Sequence, residues 1–92
     1  MTLKAEDLSR FLKGAVGEPL TVANEFAEVQ VRRVDTRNGS RLLITAARSG
    51  RWISLDALEV EALTRQNTRT LTAMVGNEGP LAPDPEDGDA HT

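Results

Sequence analysis

Between Val29 and Leu55 the chain holds three short runs in which apolar and polar residues alternate, separated by Asn38-Gly39 and Ser49-Gly50. Alternation with a period of two suits strands that bury one face, and Asn-Gly between such runs is a strong hairpin signal. A two-residue turn at Asn38-Gly39 predicts Arg37 opposite Ser40, Asp35 opposite Leu42, Arg33 opposite Ile44 and Val31 opposite Ala46. A second such turn at Ser49-Gly50 predicts Arg48 opposite Arg51, Ala46 opposite Ile53 and Ile44 opposite Leu55. Both turns place Val29, Val31, Leu42, Ile44, Ala46, Ile53 and Leu55 on one side of the sheet, which is the expected core face. Arg33 is the misfit there, and a bulge at Arg32-Arg33 would turn it outward. The opposite face carries Arg32, Val34, Arg41, Leu43, Ala47 and Trp52, with Gln30, Thr45 and Ser54 among them.

The flanking segments supply helices. Thr2 is placed to cap a first helix whose Leu8, Phe11, Leu12 and Ala15 gather on one face, ended by Gly14 or Gly17 and by Pro19. A short first strand follows over about 20–23, then a turn at Asn24-Glu25. Asp56 and Glu59 form the two ends of a capping box, with Leu55 and Val60 spaced as a hydrophobic staple. Leu58, Ala62 and Leu63 continue the apolar stripe. A break at Asn67–Thr70 would separate a second helical piece, Leu71–Val75, closed by Gly76. The expected fold is α+β: an N-terminal helix, a four-stranded antiparallel meander and one or two C-terminal helices over one face. The domain covers residues 1–77, and the acidic, Pro- and Gly-rich stretch 78–92 is expected to be disordered.

Charge follows the same division. The formal net charge is -3, yet the five acidic groups from Glu78 onward have no basic neighbour. Residues 1–77 therefore hold all 11 Lys and Arg against 9 Asp and Glu, and residues 26–55 hold six arginines against two acids. With no cysteine, disulfides and thiolate sites are excluded. The single histidine, His91, stands in the acidic tail, and no glycine-rich loop links a strand to a helix. Asp56 and Glu59 are better explained as a cap pair than as catalytic acids. The tail acids lack the ligand spacing of a calcium loop. No catalytic residue, metal site or cofactor is therefore assigned, and an enzyme is not expected. No apolar run approaches the roughly 20 residues that span a bilayer, and no signal-peptide pattern opens the chain, so a cytoplasmic protein is expected.

Two functional readings remain. Trp52 flanked by Arg32 and Arg41, with Arg37 and Arg51 nearby, could stack bases and meet the phosphates of a single strand, unless Trp52 packs under the N-terminal helix or a second subunit and the arginines are simply solvated. The same face could instead be a homodimer or partner interface, centred on Val34, Leu43, Ala47 and Trp52 with arginines at its rim. The first reading leads: a non-enzymatic regulatory module, homodimeric, binding single-stranded nucleic acid or a DNA-associated partner. The alternative is an accessory or assembly protein that makes only protein–protein contacts.

Two resemblances bear on this choice. Leu20-Thr21-Val22, Val29-Gln30-Val31-Arg32 and Gly50-Arg51-Trp52-Ile53-Ser54-Leu55 leading into a helix resemble the single-stranded-DNA-binding domain of transcriptional positive cofactor four. This likeness covers about half of the chain. It implies a dimer that binds melted DNA, with Arg32, Arg41 and Trp52 as the matching residue types; the lysine-rich character of that family is absent. Val22-Ala23-Asn24-Glu25-Phe26-Ala27, Thr36-Arg37-Asn38-Gly39, Leu55-Asp56-Ala57-Leu58-Glu59 and Leu63-Thr64-Arg65-Gln66 are similar to small actinobacterial proteins that often carry the name dihydrodiol dehydrogenase. That resemblance implies a lineage rather than a reaction, because a nicotinamide fold needs a glycine-rich strand–helix turn and a much longer chain.

Overall fold

The computed structural model describes residues 5–77 and Gly79, and the side chains from Leu8 onward. Helix α1 (Ala5–Leu12) leads into β1 (Ala15–Ala23), β2 (Glu28–Thr36), β3 (Gly39–Ala46) and β4 (Trp52–Leu55), followed by α2 (Ala57–Leu63) and α3 (Thr68–Val75). The strands form one antiparallel sheet in the order β1-β2-β3-β4, so the meander and the α+β class are as expected. The proposed Thr2 cap and the tail beyond Gly79 lie outside the described residues.

Both hairpin registers differ from expectation by two residues. Thr36 pairs with Gly39, Asp35 with Ser40 and Arg33 with Leu42, so the turn is centred on Arg37-Asn38. A type I′ turn at Asn38-Gly39 would need a positive φ at Asn38. No described non-glycine residue has one, whereas Gly39 has φ 121°. The Thr36 hydroxyl holds this alternative, accepting from the Asn38 amide at 3.2 Å and donating to the Gly39 carbonyl at 2.8 Å. At the second hairpin Ile44 pairs with Ile53 and Leu42 with Leu55. The loop there is four residues, Ala47 to Gly50, closed by the Gly50 amide on the Ala46 carbonyl (2.9 Å) and the Ala46 amide on the Arg51 carbonyl (2.8 Å). Gly50 supplies the positive φ of 73°. A shift of two preserves the alternation, so membership of each face is unchanged on the paired strands.

Which face is interior is reversed. Val34 and Leu43, at 1% and 2% exposure, are the buried hydrophobic core among the described residues. Helix α1 lies on the same side of the sheet, where Phe11 packs edge-on against Trp52, with ring centroids 5.5 Å apart at 72°. Gly14 lies against Val34, and its carbonyl accepts from the Asp35 amide at 2.9 Å. The face expected to be the core, that of Val31, Ile44 and Ile53, is half-buried or exposed.

Arg33 therefore needs no bulge. Pairing between β2 and β3 runs unbroken through Arg32 and Arg33, and the Arg33 guanidinium reaches Asp35 at 3.3 Å on the exposed surface. The irregularity falls instead in β1, between Val16 and Leu20, where Gly17 takes φ 73°. That bulge lets β1 begin at Ala15, five residues before the expected strand, and α1 ends at Leu12, ahead of either glycine. The Asn24 turn forms as expected, with the Asn24 side chain accepting from the amides of Phe26 (2.8 Å) and Ala27 (2.9 Å).

Candidate interaction surface

The two sides of the sheet offer different chemistry. On the Val34 side, alternation puts Arg32, Arg41 and Trp52 beside Val34 and Leu43. There, Trp52 is half-buried against Phe11. Arg41 is anchored: its Nε donates to Ser54 Oγ at 2.7 Å and its Nη2 to the Ser54 carbonyl at 3.2 Å, while Nη2 lies 3.9 Å from Glu59 Oε1. Glu59 itself closes the α2 cap by accepting from the Asp56 amide at 2.9 Å, and Asp56 accepts from the Glu59 amide at 2.8 Å. Arg41 thus links β3, β4 and the start of α2.

The five residues assigned to a nucleic-acid or partner site do not form one cluster. Arg32, opposite Leu43, is half-buried in the middle of the sheet. Arg37 is exposed in the β2–β3 turn, whereas Arg51 precedes β4 beside Ala46, at the other end of β3. Eight-residue β3 separates those two positions by roughly 24 Å at strand rise. The proposed interface centre is likewise dispersed. Val34 and Leu43 are buried within the chain, and Ala47 has left the sheet for the β3–β4 loop, where its amide donates to the Glu28 carbonyl at 3.0 Å.

The Val31 side is the open one. Leu20, Val22 and Ile53 are 64%, 55% and 51% exposed, around half-buried Val29, Val31 and Ile44. Cross-strand pairing sets Leu20 opposite Val31, Val31 opposite Ile44 and Ile44 opposite Ile53, a continuous aliphatic row across all four strands. Helix α2 overhangs only the Leu42–Leu55 end, where Ala57 and Val60 border an open hollow of about 420 Å³. Arg33 and Asp35 on this face are paired with each other at that end, where Ser40 Oγ donates to Asp35 at 2.9 Å, and exposed Arg51 borders the opposite end beside Ile44, Ala46 and Ile53. Sequence alternation identified Val29, Val31, Ile44 and Ile53, but as core rather than as surface, and assigned Leu20 and Val22 to a strand without a face.

Beyond α2, Asn67 and Thr70 form a second capping box, each amide donating to the other's side chain at 3.0 Å. The stretch expected to break the helix therefore starts α3, which leaves Leu71, Met74 and Val75 exposed. Among the described residues no helix is long and apolar enough to cross a membrane. Compared with protein-family models, curated proteins and solved structures, the chain matches none of them.

Proposed function

We propose that this protein is a non-enzymatic interaction module whose open sheet face docks a protein surface. The observation that carries this reading is the aliphatic row from Leu20 through Val31 and Ile44 to Ile53, exposed at both ends and uncovered by α1. Contiguous apolar surface of this kind favours association, because covering it removes it from water at about 25 cal/mol per Å². The centre of the face is aliphatic rather than cationic: Arg33 is matched by Asp35 at one end, and Arg51 stands at the other, beside Ala46. On the other side, the ring best suited to base stacking is already against Phe11. Protein–protein contact is therefore favoured over single-strand binding, and it is placed on the face opposite to Trp52.

A photoreactive amino acid at position 53 or 37, irradiated in living cells, tests this directly. Position 53 lies on the open face and Arg37 at the exposed hairpin tip. An adduct at 53 that survives nuclease and is destroyed by protease is expected, with none at 37. No adduct at 53, or nuclease-sensitive adducts at either position, would overturn the reading.

A further inference from the structure

We infer that the occupant of the open sheet face is a second copy of this chain, docked about a twofold axis; this rests on the interaction reading above. The first support is the size of the intrachain core. Only Val34 and Leu43 are buried hydrophobic residues among the described part of a 92-residue chain. Small domains are stabilised weakly by their own burial, and association is a common remedy. Here the richer of the two apolar sheet faces is the one left outside.

The second support is area. Strands of nine, nine, eight and four residues at about 4.8 Å spacing and about 3.3 Å rise, less the end that α2 overhangs, present a face on the order of 350 Å². A stable interface buries about 800 Å² per partner, so the sheet alone supplies somewhat under half. The helices that follow β4 carry further exposed apolar groups: Leu58 and Leu63 on α2, and Leu71, Met74 and Val75 on α3. One chain thus holds two kinds of uncovered apolar surface, which a second copy can cover together.

Charge is the third support. In a twofold interface each residue near the axis meets its own counterpart, so an unpaired charge there would face a like charge. Val31, Ile44 and Ile53 are aliphatic and tolerate self-contact. Arg33 and Asp35 neutralise one another at one end, 3.3 Å apart, and Arg51 lies at the opposite end beside Ala46, so the charges of the face stand off the Val31–Ile44 centre.

Light scattering on the full chain at about 10 and 200 µM, with Ile53→Glu and Arg37→Glu alongside, tests the inference. Wild type and Arg37→Glu are expected at twice the 10.0 kDa chain mass. Ile53→Glu places two carboxylates in the interface and should weaken association about 100-fold or more, giving a single-chain mass with the circular dichroism of a folded protein. A wild-type monomer at 200 µM, or an Ile53→Glu dimer of unchanged affinity, would overturn it. Should Ile53→Glu fail to fold, the wild-type melting temperature decides: a rise with protein concentration supports the dimer and a constant value contradicts it. A monomer whose position-53 adduct contains a different protein defeats the second copy while leaving the interaction reading intact.

Discussion

Gly14 is where the first helix meets the sheet, and its missing side chain is a steric requirement. A Cβ at this position would overlap the Asp35 carbonyl oxygen and come within 3.3 Å of Val34 Cγ1. The Gly14 carbonyl also receives the Asp35 amide, so the chain cannot simply step away. Gly14→Ala is therefore expected to destabilise the fold by about 1–3 kcal/mol, the usual cost of overpacking, read as a lower urea midpoint with an unchanged slope. An unchanged midpoint would mean that α1 is not held against Val34. Sequence reading could name Gly14 only as a helix stop, since a close approach between the backbones of Gly14 and Asp35, 21 residues apart, leaves no local signature. Gly39 was more legible, because Asn38-Gly39 correctly marked a reversal. The Thr36 hydroxyl then moved the turn back by one residue and the pairing by two.

Among the elements, the C-terminal helices were readable where caps are chemical. Asp56 and Glu59 bond reciprocally as their spacing requires. Asn67 and Thr70 do the same, although β-branched threonines there suggested a break. The two caps are expected to matter differently. Asp56→Ala removes the acceptor at the start of α2, against which β4 and Arg41 are arranged, and should cost about 1 kcal/mol of global stability. Asn67→Ala loosens α3, whose Leu71, Met74 and Val75 are exposed, and should chiefly speed amide exchange at Leu71. Hydrogen exchange followed beside thermal melting separates the two. An equal loss of global stability from both changes would show that α3 is packed as firmly as α2. The β1 bulge had no comparable signal: Gly17 and Pro19 marked an interruption, and the strand passes through it.

Across the whole molecule, alternation correctly sorted residues into two faces and misjudged which one is covered within the chain. Periodicity records that a face is apolar; it does not record whether a helix of the same chain or another molecule covers it. Helix α1 offers a short apolar stripe, with Leu8 and Phe11 half-buried, that suits the smaller face around Val34 and Leu43. The larger face, with Leu20, Val22 and Ile53 more than half exposed, is left for a partner. Spacing left open whether Trp52 lies under the first helix or faces a ligand, and it could assign neither Phe11 to Trp52 nor Ser54 to Arg41. Their places in the fold explain why the side of Leu20, Val31 and Ile53, rather than the Trp52 side, is the stronger candidate surface. Isotope-filtered nuclear Overhauser spectra on a mixture of labelled and unlabelled full-length chain test this most directly. Interchain contacts among the methyl groups of Val22, Val31, Ile44 and Ile53 are expected. Interchain contacts absent from those methyls, or confined to Trp52 and its neighbours, would contradict it.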